Sequence, residues 1–358
     1  MHCGTNRAGG VGVAEATWAF AVGEPRPLRI AYLSGSDAHT GVQFGDHFTG
    51  SKGSTDLYRL GMGGPGGFER LHFPRNYFRQ PYRHDLGRFD VLLNLVTEPD
   101  QSPKVLQALA RLVKGFRGRV INRPEHVLRS TRDQVSQACR GLPHVIAPQV
   151  LRLASPKARV VRRKVEESEI RFPAILRRAG THGGRIAALV ERPQQLDTLL
   201  DGGDEHFLTE FVDFRSADGL YRKYRFFCIG DWSVLRHMLV SDAWNVHAKD
   251  RIRFMSGKSR LIEEERHLFS AGVDALPPAF PIAHDAICNA MKLHFFGMDF
   301  GFDREGNLVL FEANPAMGFF ANLDHPEFGY VKSCLRPAQL AFNRLLFRGA
   351  RRLGDLVE

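Results

Sequence analysis

Apolar residues gather in short blocks along this chain, separated by glycine, proline and charge. Residues 28–33 (LRIAYL) form the first block that reads as a strand, and a Gly/Ser turn closes it. Residues 89–95 (FDVLLNL) are apolar enough for a strand buried on both faces. Ser102 and Pro103 then open a helix, as N-cap and first helical residue, predicted to run to about Lys114. Residues 119–121 supply another short strand. Strand, helix and strand in that order predict a parallel βαβ unit, a small α/β domain over residues 26–124. Between its strands lies a stretch, 41–88, rich in glycine, histidine, arginine and aromatics, with GMGGPGG at 61–67. That composition predicts a long surface loop.

The pattern changes after residue 124. A helix is expected over 131–140, and strands over 172–176, 186–190, 206–213, 225–229 and 233–240, with a helix at 193–200. A stronger helix is predicted over 281–296, opened by proline and followed by Gly297. Two strands, 298–302 and 308–312, are joined by Asp303-Arg-Glu-Gly-Asn307 as a hairpin turn. An amphipathic helix over 336–347 ends the pattern. This mixture of hairpins and helices predicts an α+β region, not a second doubly wound sheet. No internal repeat is present.

Composition narrows the class. The 358 residues are 43% hydrophobic and 25% charged, ordinary globular values. Two or three domains are expected. Wholly disordered, collagen-like and coiled-coil architectures are excluded. No window holds the ~18 consecutive apolar residues of a membrane span, and residues 1–25 lack a secretory pattern and read as an extension. Five cysteines (Cys3, Cys139, Cys228, Cys288, Cys334) lie far apart with no CxxC pair. Neither a disulfide framework nor a zinc site is expected, and a reducing cytoplasm suits them. Lys and Arg number 49 against 39 Asp and Glu, a net charge of +10. That favours anionic partners, whether nucleic acid, nucleotides or acidic substrates.

Three constellations carry chemistry. Asp299 and Glu312 are 13 residues apart on the two strands of the last hairpin, and Asn314 lies two beyond Glu312 on the same face. Matched registers bring such side chains within ~5 Å. Two carboxylates and an amide then offer oxygens of the kind magnesium takes, and two close anions need a cation or a proton. Next, strand 172–176 runs into Arg177, Arg178 and a loop holding Gly180, Gly183 and Gly184. Glycines let backbone N–H groups approach phosphate, and a cation at the strand end can pair with it. The loop is neither a GKS/T loop nor GxGxxG. Finally, strand 206–213 ends in Glu210, Phe211, Val212 and Asp213, with Asp218, Lys223 and Arg225 following. Backbone groups there could pair with an adenine ring and acids with ribose hydroxyls.

The order and spacing of the three resemble the ATP-grasp superfamily over residues 126–325, about 200 of 358. Asp299, Glu312 and Asn314 are spaced as in its D-alanine–D-alanine ligase branch. The resemblance implies an ATP-grasp fold over 125–348 behind an N-terminal βαβ (Rossmann-like) domain, with a lid subdomain at about 150–212 and a metal-binding subdomain at about 213–348. It implies that Asp299, Glu312 and Asn314 hold Mg²⁺, or Mn²⁺ in its place, against ATP. Arg177 stands where the family has a phosphate-binding lysine, and Gly180–Gly184 would be the lid loop. Glu210, Phe211, Val212 and Asp213 would be the adenine linker, Asp218 a ribose ligand and Arg132 another nucleotide-binding cation. Arg225 is similar to the arginine of an Asp-x-Arg element in the glutamate-adding branch, with Lys223 in place of its acid. Gly297 stands where many relatives carry a basic residue.

His237, His247 and Lys249 lie between lid and metal strands, where the family binds phosphates and acceptor. They are candidates, with Arg225, for orienting an acyl phosphate or activating an amine. Arg75, Arg79 and Arg83 are candidates for an acidic substrate. The implied activity is ATP-dependent joining of a small-molecule or peptide carboxylate to an amine. The rival readings are phosphotransfer to a hydroxyl from the same site, and a non-catalytic nucleotide- or nucleic-acid-binding protein. The lack of an RNP, KH or helix-turn-helix signature argues against nucleic acid. The sequence leaves a homo-oligomer open.

Overall fold

The computed structural model describes residues 28–38, 55–61, 68–154, 158–179, 188–200, 205–320 and 324–347. The first unit is built on strands β1 (Ile30–Ser36), β2 (Phe68–Pro74), β3 (Val91–Asn94) and β4 (Arg119–Ile121), with helix α1 (Pro103–Leu112) between β3 and β4. All its pairings are parallel, in the order β2-β1-β3-β4. The expected βαβ unit is there, with one correction. Strand β2 lies inside the stretch read as loop. It is an edge strand whose first three residues are exposed, so no apolar alternation marks it. Ser102 stands at the N-cap of α1 and Pro103 opens the helix, as expected, but the Ser102 side chain makes no capping bond. Asp37, just after β1, accepts from the backbone N–H groups of Lys104 and Val105, both at 2.9 Å.

The short helix α2 (Pro124–Val127) and α3 (Arg132–Cys139) lead out of this sheet to β5 (Val145–Ile146) and β6 (Val150–Leu153). Helix α4 (Ala158–Ser168), β7 (Ala174–Arg178), β8 (Ala188–Val190), helix α5 (Leu196–Leu199) and β9 (His206–Glu210) follow. Strands β6-β9-β7-β8 form an antiparallel sheet whose apolar face takes Val161 and Val165 of α4. Neither β6 nor α4 was expected, because α4 offers only a narrow valine stripe among charges.

The third sheet holds β10 (Tyr221–Ile229), β11 (Trp232–Ser241), β12 (Phe295–Phe302) and β13 (Leu308–Asn314), in the order β11-β10-β12-β13-β5. Helices α6 (Ser259–Ala271) and α7 (Phe280–Met291) separate β11 from β12, and α8 (Leu335–Phe347) ends the described chain. Its pairings are antiparallel except β13 with β5. The fold is therefore mixed α/β, with one parallel sheet and two largely antiparallel ones.

Helix α7 ends at Met291, where Lys292 turns left-handed (φ 54°). The expected helix ran five residues further. The aromatics Phe295 and Phe296 are buried on both sides, which suits a central strand, and β12 starts there. Gly297 is thus a strand residue and not a helix stop. A Cβ on it would lie 2.6 Å from Met317 Sδ, so the methionine takes the space a side chain would need.

Helix α8 packs between sheets. Phe342, Leu345 and Leu346 join Tyr32, Val91 and Leu93 of the parallel sheet to Phe227, Ile229 and Phe295 of the third. Asn122, fully buried and left-handed (φ 52°), fixes the same junction. Its Oδ1 accepts from the N–H groups of His294 (2.8 Å) and Phe295 (3.0 Å), and its Nδ2 donates to Phe295 O (2.8 Å). Among the described residues no helix is long and apolar enough to cross a membrane.

Candidate active site

Two antiparallel sheets face one another across a cleft of about 450 Å³, within the size range of small-molecule sites. Its floor is the third sheet. Strand alternation sends Lys223 and Arg225 of β10, His237 and Leu239 of β11, and Asp299 of β12 to the same side. Glu312 and Asn314 come from β13, with Asp299 directly opposite Glu312. The opposing wall has Ile175 and Arg177 of β7 and Thr209 of β9. Phe211, Val212, Phe214, Trp244, Val246, Val309 and Leu310 make the cleft apolar at one end, with Phe211 edge-on to Trp244 at 5.4 Å.

Two bulges aim these side chains. Asp299 pairs with Glu312, but Phe300 pairs with Leu310, so Phe311 is an extra residue beside the acidic pair. Its freed carbonyl accepts from Arg132 Nη1 at 2.8 Å. Likewise Arg225 pairs with His237 and Phe226 with Leu235, leaving Arg236 as the extra residue. Consecutive residues Arg236 and His237 can then line one small cavity of about 60 Å³ together with Arg225, Leu239, Ala248, Arg251 and Gly318. Arg225, His237, Leu239, Ala248 and Gly318 also line the cleft, so the two spaces adjoin.

The electrostatics favour an anion. Asp299 receives a bidentate pair from Arg225 (Nε to Oδ1 2.6 Å, Nη2 to Oδ2 2.7 Å), with Lys223 Nζ at 3.4 Å from Oδ2. Burial pushes its carboxyl up, but Arg225 and Lys223 outweigh this and hold it down at about 2. Glu312 is paired with Arg132 at 2.9 Å and accepts from Asn314 Nδ2 at 2.7 Å. The close carboxylates therefore find their neutralising cations in the protein's own side chains, not through a shared proton. The Arg177 side chain makes no hydrogen bond or ion pair among the described residues, and burial, aided by Arg132, lowers its pKa to about 10. Arg132, Arg177, Lys223 and Arg225 thus face Asp299 and Glu312, while the third acid of the lining, Glu210, is paired with Arg171 outside it, which leaves positive charge in excess.

His237 is held neutral. Burial acts first and then Arg225, Arg236, Arg251 and Lys223 repel its charged form, so its pKa lies well below the ordinary value. Its Nε2 is buried with no hydrogen-bond partner among the described residues. A polar atom of that kind calls for a ligand group.

The oxygens of Asp299, Glu312 and Asn314 fit a hard divalent cation. A carboxylate has about four lone-pair sites, and the bidentate arginine on Asp299 uses two. Asn314 Oδ1 already accepts from Ala316 N–H at 2.9 Å, with a second lone pair in reserve.

Searched against models of known families, the chain matches none. No curated protein matches it either. In backbone it is similar to several solved structures. The VanG D-Ala:D-Ser ligase of Enterococcus faecalis has 13% identity and a TM-score of 0.48, over 88% of this chain and 100% of that one. A RimK domain ATP-grasp protein of Sphaerobacter thermophilus has 14% identity and a TM-score of 0.48, over 89% and 99%. The macrocyclase MdnC of Microcystis aeruginosa, solved with its precursor peptide MdnA, has 11% and 0.45, over 90% and 100%.

Not every residue singled out in the sequence reaches the cleft. Asp218 is exposed, does not line the cleft and is bound by Arg222 (2.8 Å) and Arg260 (3.3 Å). Asp213 is also exposed, 3.7 Å from Arg215. Glu210 borders the cleft, but its carboxylate accepts from the N–H groups of Gln149 and Arg171 and from the Arg171 side chain. It anchors the strand end. Phe211 and Val212 do line the cleft.

His247 lines the cleft, whereas Lys249 is exposed outside it, its N–H donating to His247 Nδ1 at 3.3 Å. Arg83 donates to the carbonyls of Tyr77, Phe78 and Tyr82 and so pins its own loop. Arg75 and Arg79 are exposed, and none of the three borders the cleft. Gly180, Gly183 and Gly184 lie outside the described residues.

Sequence reasoning missed Arg251 altogether and gave Arg236 no role. The one available signal was two adjacent basic residues in an apolar strand, which a regular strand would place on opposite faces. The fold also brings together two cysteines that lie far apart in the sequence. Cys228 and Cys288 lie 3.3 Å apart, sulfur to sulfur, with His284 between them in the fold. The signal was His284 and Cys288 four residues apart on one helix face.

Proposed function

We propose that this protein is an ATP-grasp ligase that activates a carboxylate with ATP and joins it to an amine, releasing ADP and phosphate. The observation that carries this reading is the meeting of Asp299, Glu312 and Asn314 with Arg132, Arg177, Lys223 and Arg225 in one cleft between two antiparallel sheets. Oxygen donors inside an excess of positive charge suit a nucleotide triphosphate with its cation. Asp299, Glu312 and Asn314 would hold Mg²⁺, which when bound supplies charge neutralisation at the phosphates. Arg177, whose side chain has no partner among the described residues, would take a phosphate, and its planar fork allows two hydrogen bonds where lysine offers a point charge. Ile175, Phe211, Val212, Phe214 and Leu310 would enclose the base.

The small cavity beyond Arg225 would receive the acid. At about 60 Å³, it has room for a small anionic group such as a carboxylate or a phosphate. Arg225, Arg236 and Arg251 give it a cationic wall. The carboxylate oxygen would attack the γ-phosphorus and ADP would leave. The amine would then attack the acyl carbon and phosphate would leave. Neutral His237 would take the amine's proton at Nε2. Substrates of this kind, small-molecule or peptide acids and amines, and the use of ATP go with a cytoplasmic setting.

The test is thermal melting with and without Mg·ATP for wild type, Glu312→Gln and Arg177→Gln, followed by an ADP-release assay over a panel of acids and amines. Ligand at ~100 times Kd adds ~2.7 kcal/mol, a shift of several degrees. The expected result is a magnesium-dependent shift in wild type, lost in both variants, and ADP release only when acid and amine are both present. No shift at saturating Mg·ATP would overturn the nucleotide site. A stable phosphate ester in place of a new amide would make the enzyme a phosphotransferase.

A further inference from the structure

Behind the third sheet, on the face turned away from the cleft, lies a second cluster of reactive side chains. Cys228 comes from β10, where alternation puts it with Tyr224 and Phe226 and opposite Lys223 and Arg225. His284 and Cys288 come from one face of α7, and Ser233 from the start of β11. The sulfurs of Cys228 and Cys288 are 3.3 Å apart. His284 Nε2 lies 3.3 Å from Cys228 Sγ, 3.6 Å from Cys288 Sγ and 2.6 Å from Ser233 Oγ. The donor atoms of Cys228, His284 and Cys288 all fall within 4.8 Å of one another.

These separations are close to the edges of a metal tetrahedron. Zn–S bonds of ~2.3 Å and Zn–N bonds of ~2.0–2.1 Å place neighbouring ligand atoms roughly 3.5–3.8 Å apart. Shifts of a few tenths of an ångström would seat an ion. The imidazole is also turned the right way. Nε2 faces both sulfurs, while Nδ1 lies 3.3 Å from the Asp285 carboxylate. A carboxylate on the far nitrogen is the usual outer partner of a metal-bound histidine, fixing its tautomer and raising its basicity. The Cys288 side chain is only half-buried, which leaves a way in.

We propose that Cys228, His284 and Cys288 form a binding site for a thiophilic divalent metal ion, zinc by its donor set, with Ser233 Oγ or a water as fourth ligand. Binding releases the thiol protons to solvent and leaves the ion tying α7 to the back of β10 and β11. Nothing in this assignment depends on what the cleft binds. A hard cation such as magnesium has no use for two sulfurs, so the two sites select different ions.

The experiment uses the reduced full-length protein, stripped with chelator and titrated with Co²⁺ and then Zn²⁺. One equivalent of Co²⁺ is expected to give thiolate-to-cobalt charge-transfer absorption, which Zn²⁺ abolishes by displacement. Cobalt in the cleft, on oxygen ligands, gives no such band. Cys288→Ser is expected to remove most of the band. Asp285→Asn, at an exposed side chain whose loss leaves the core intact, is expected to weaken zinc binding about 10–100-fold. No charge-transfer band in the reduced wild type, or an unchanged band in Cys288→Ser, overturns the proposal. So does a Cys228–Cys288 disulfide in the purified protein whose reduced form takes up no cobalt.

Discussion

Along β10, Lys223 and Arg225 enter the cleft while Tyr224, Phe226 and Cys228 pack behind it. The two faces belong to one strand and differ in what they can lose. On the rear face, Tyr224 stacks on Phe300 at 5.5 Å, and Phe226 and Phe280 close around the same ring at 5.7 and 5.4 Å. Most of the stabilisation of these contacts scales with the apolar area buried, with a smaller part set by ring orientation. On the front face, each charge is tolerated only because a partner meets it at hydrogen-bond distance. The rear therefore supplies stability that any substrate would leave untouched. The front stores electrostatic tension that a bound anion can relieve.

Four measurements break or sharpen this contrast. Phe300→Ala, at a fully buried ring, should cost about 3–5 kcal/mol in denaturant unfolding. The Mg·ATP affinity of the folded fraction should stay within twofold, and a tenfold loss would join the two faces. Asp299→Asn should cost about 3 kcal/mol, because Arg225 and Lys223 lose their buried counter-charge. It should also abolish the nucleotide-dependent shift in melting.

The third measurement uses pH. His237 is buried neutral, and its folded pKa lies below the unfolded value of about 6.5. The unfolded chain therefore binds more protons below that pH, and stability falls as pH falls, by up to about 1.4 kcal/mol per pH unit. His237→Gln should flatten the profile between about pH 6.5 and 5; an unchanged slope would assign it to other groups. The smallest effect belongs to Glu312→Gln, whose ion pair with Arg132 is partly exposed. It should cost less than about 1 kcal/mol and still remove the magnesium-dependent shift. Equal losses of stability for Asp299→Asn and Glu312→Gln would contradict the burial difference between them.

Much of the front face was legible in the sequence, for a local reason. Asp299, Glu312 and Asn314 belong to one hairpin, so a count of residues and a turn at Asp303–Asn307 suffice to bring them together. Arg225 and Lys223 were visible as cations on a strand, but their bond to Asp299 spans 74 residues and needs the strand order. The bulges at Arg236 and Phe311 leave no mark in a hydrophobic pattern, because the inserted residue breaks the alternation that would reveal it. On the rear face, Cys228 and Cys288 are 60 residues apart, and only the packing of α7 on β10 unites them. Strand β2 was hidden because an edge strand buries too little to need apolar alternation. Asp218 was misplaced for the opposite reason: it is close in sequence to the cleft residues, but Arg222 and Arg260 hold it outside.

Asn122 has a consequence for cutting the chain into parts. Its single amide serves two N–H groups and one carbonyl at the start of β12, and it reaches them from the last turn of the parallel sheet. A fragment beginning after residue 124 would keep every residue of the cleft but leave those three backbone groups without their partner, beside the exposed apolar side of α8. The parallel sheet thus serves as the keel of the half that carries the cleft, and a swap of that sheet between proteins would have to bring an equivalent amide with it.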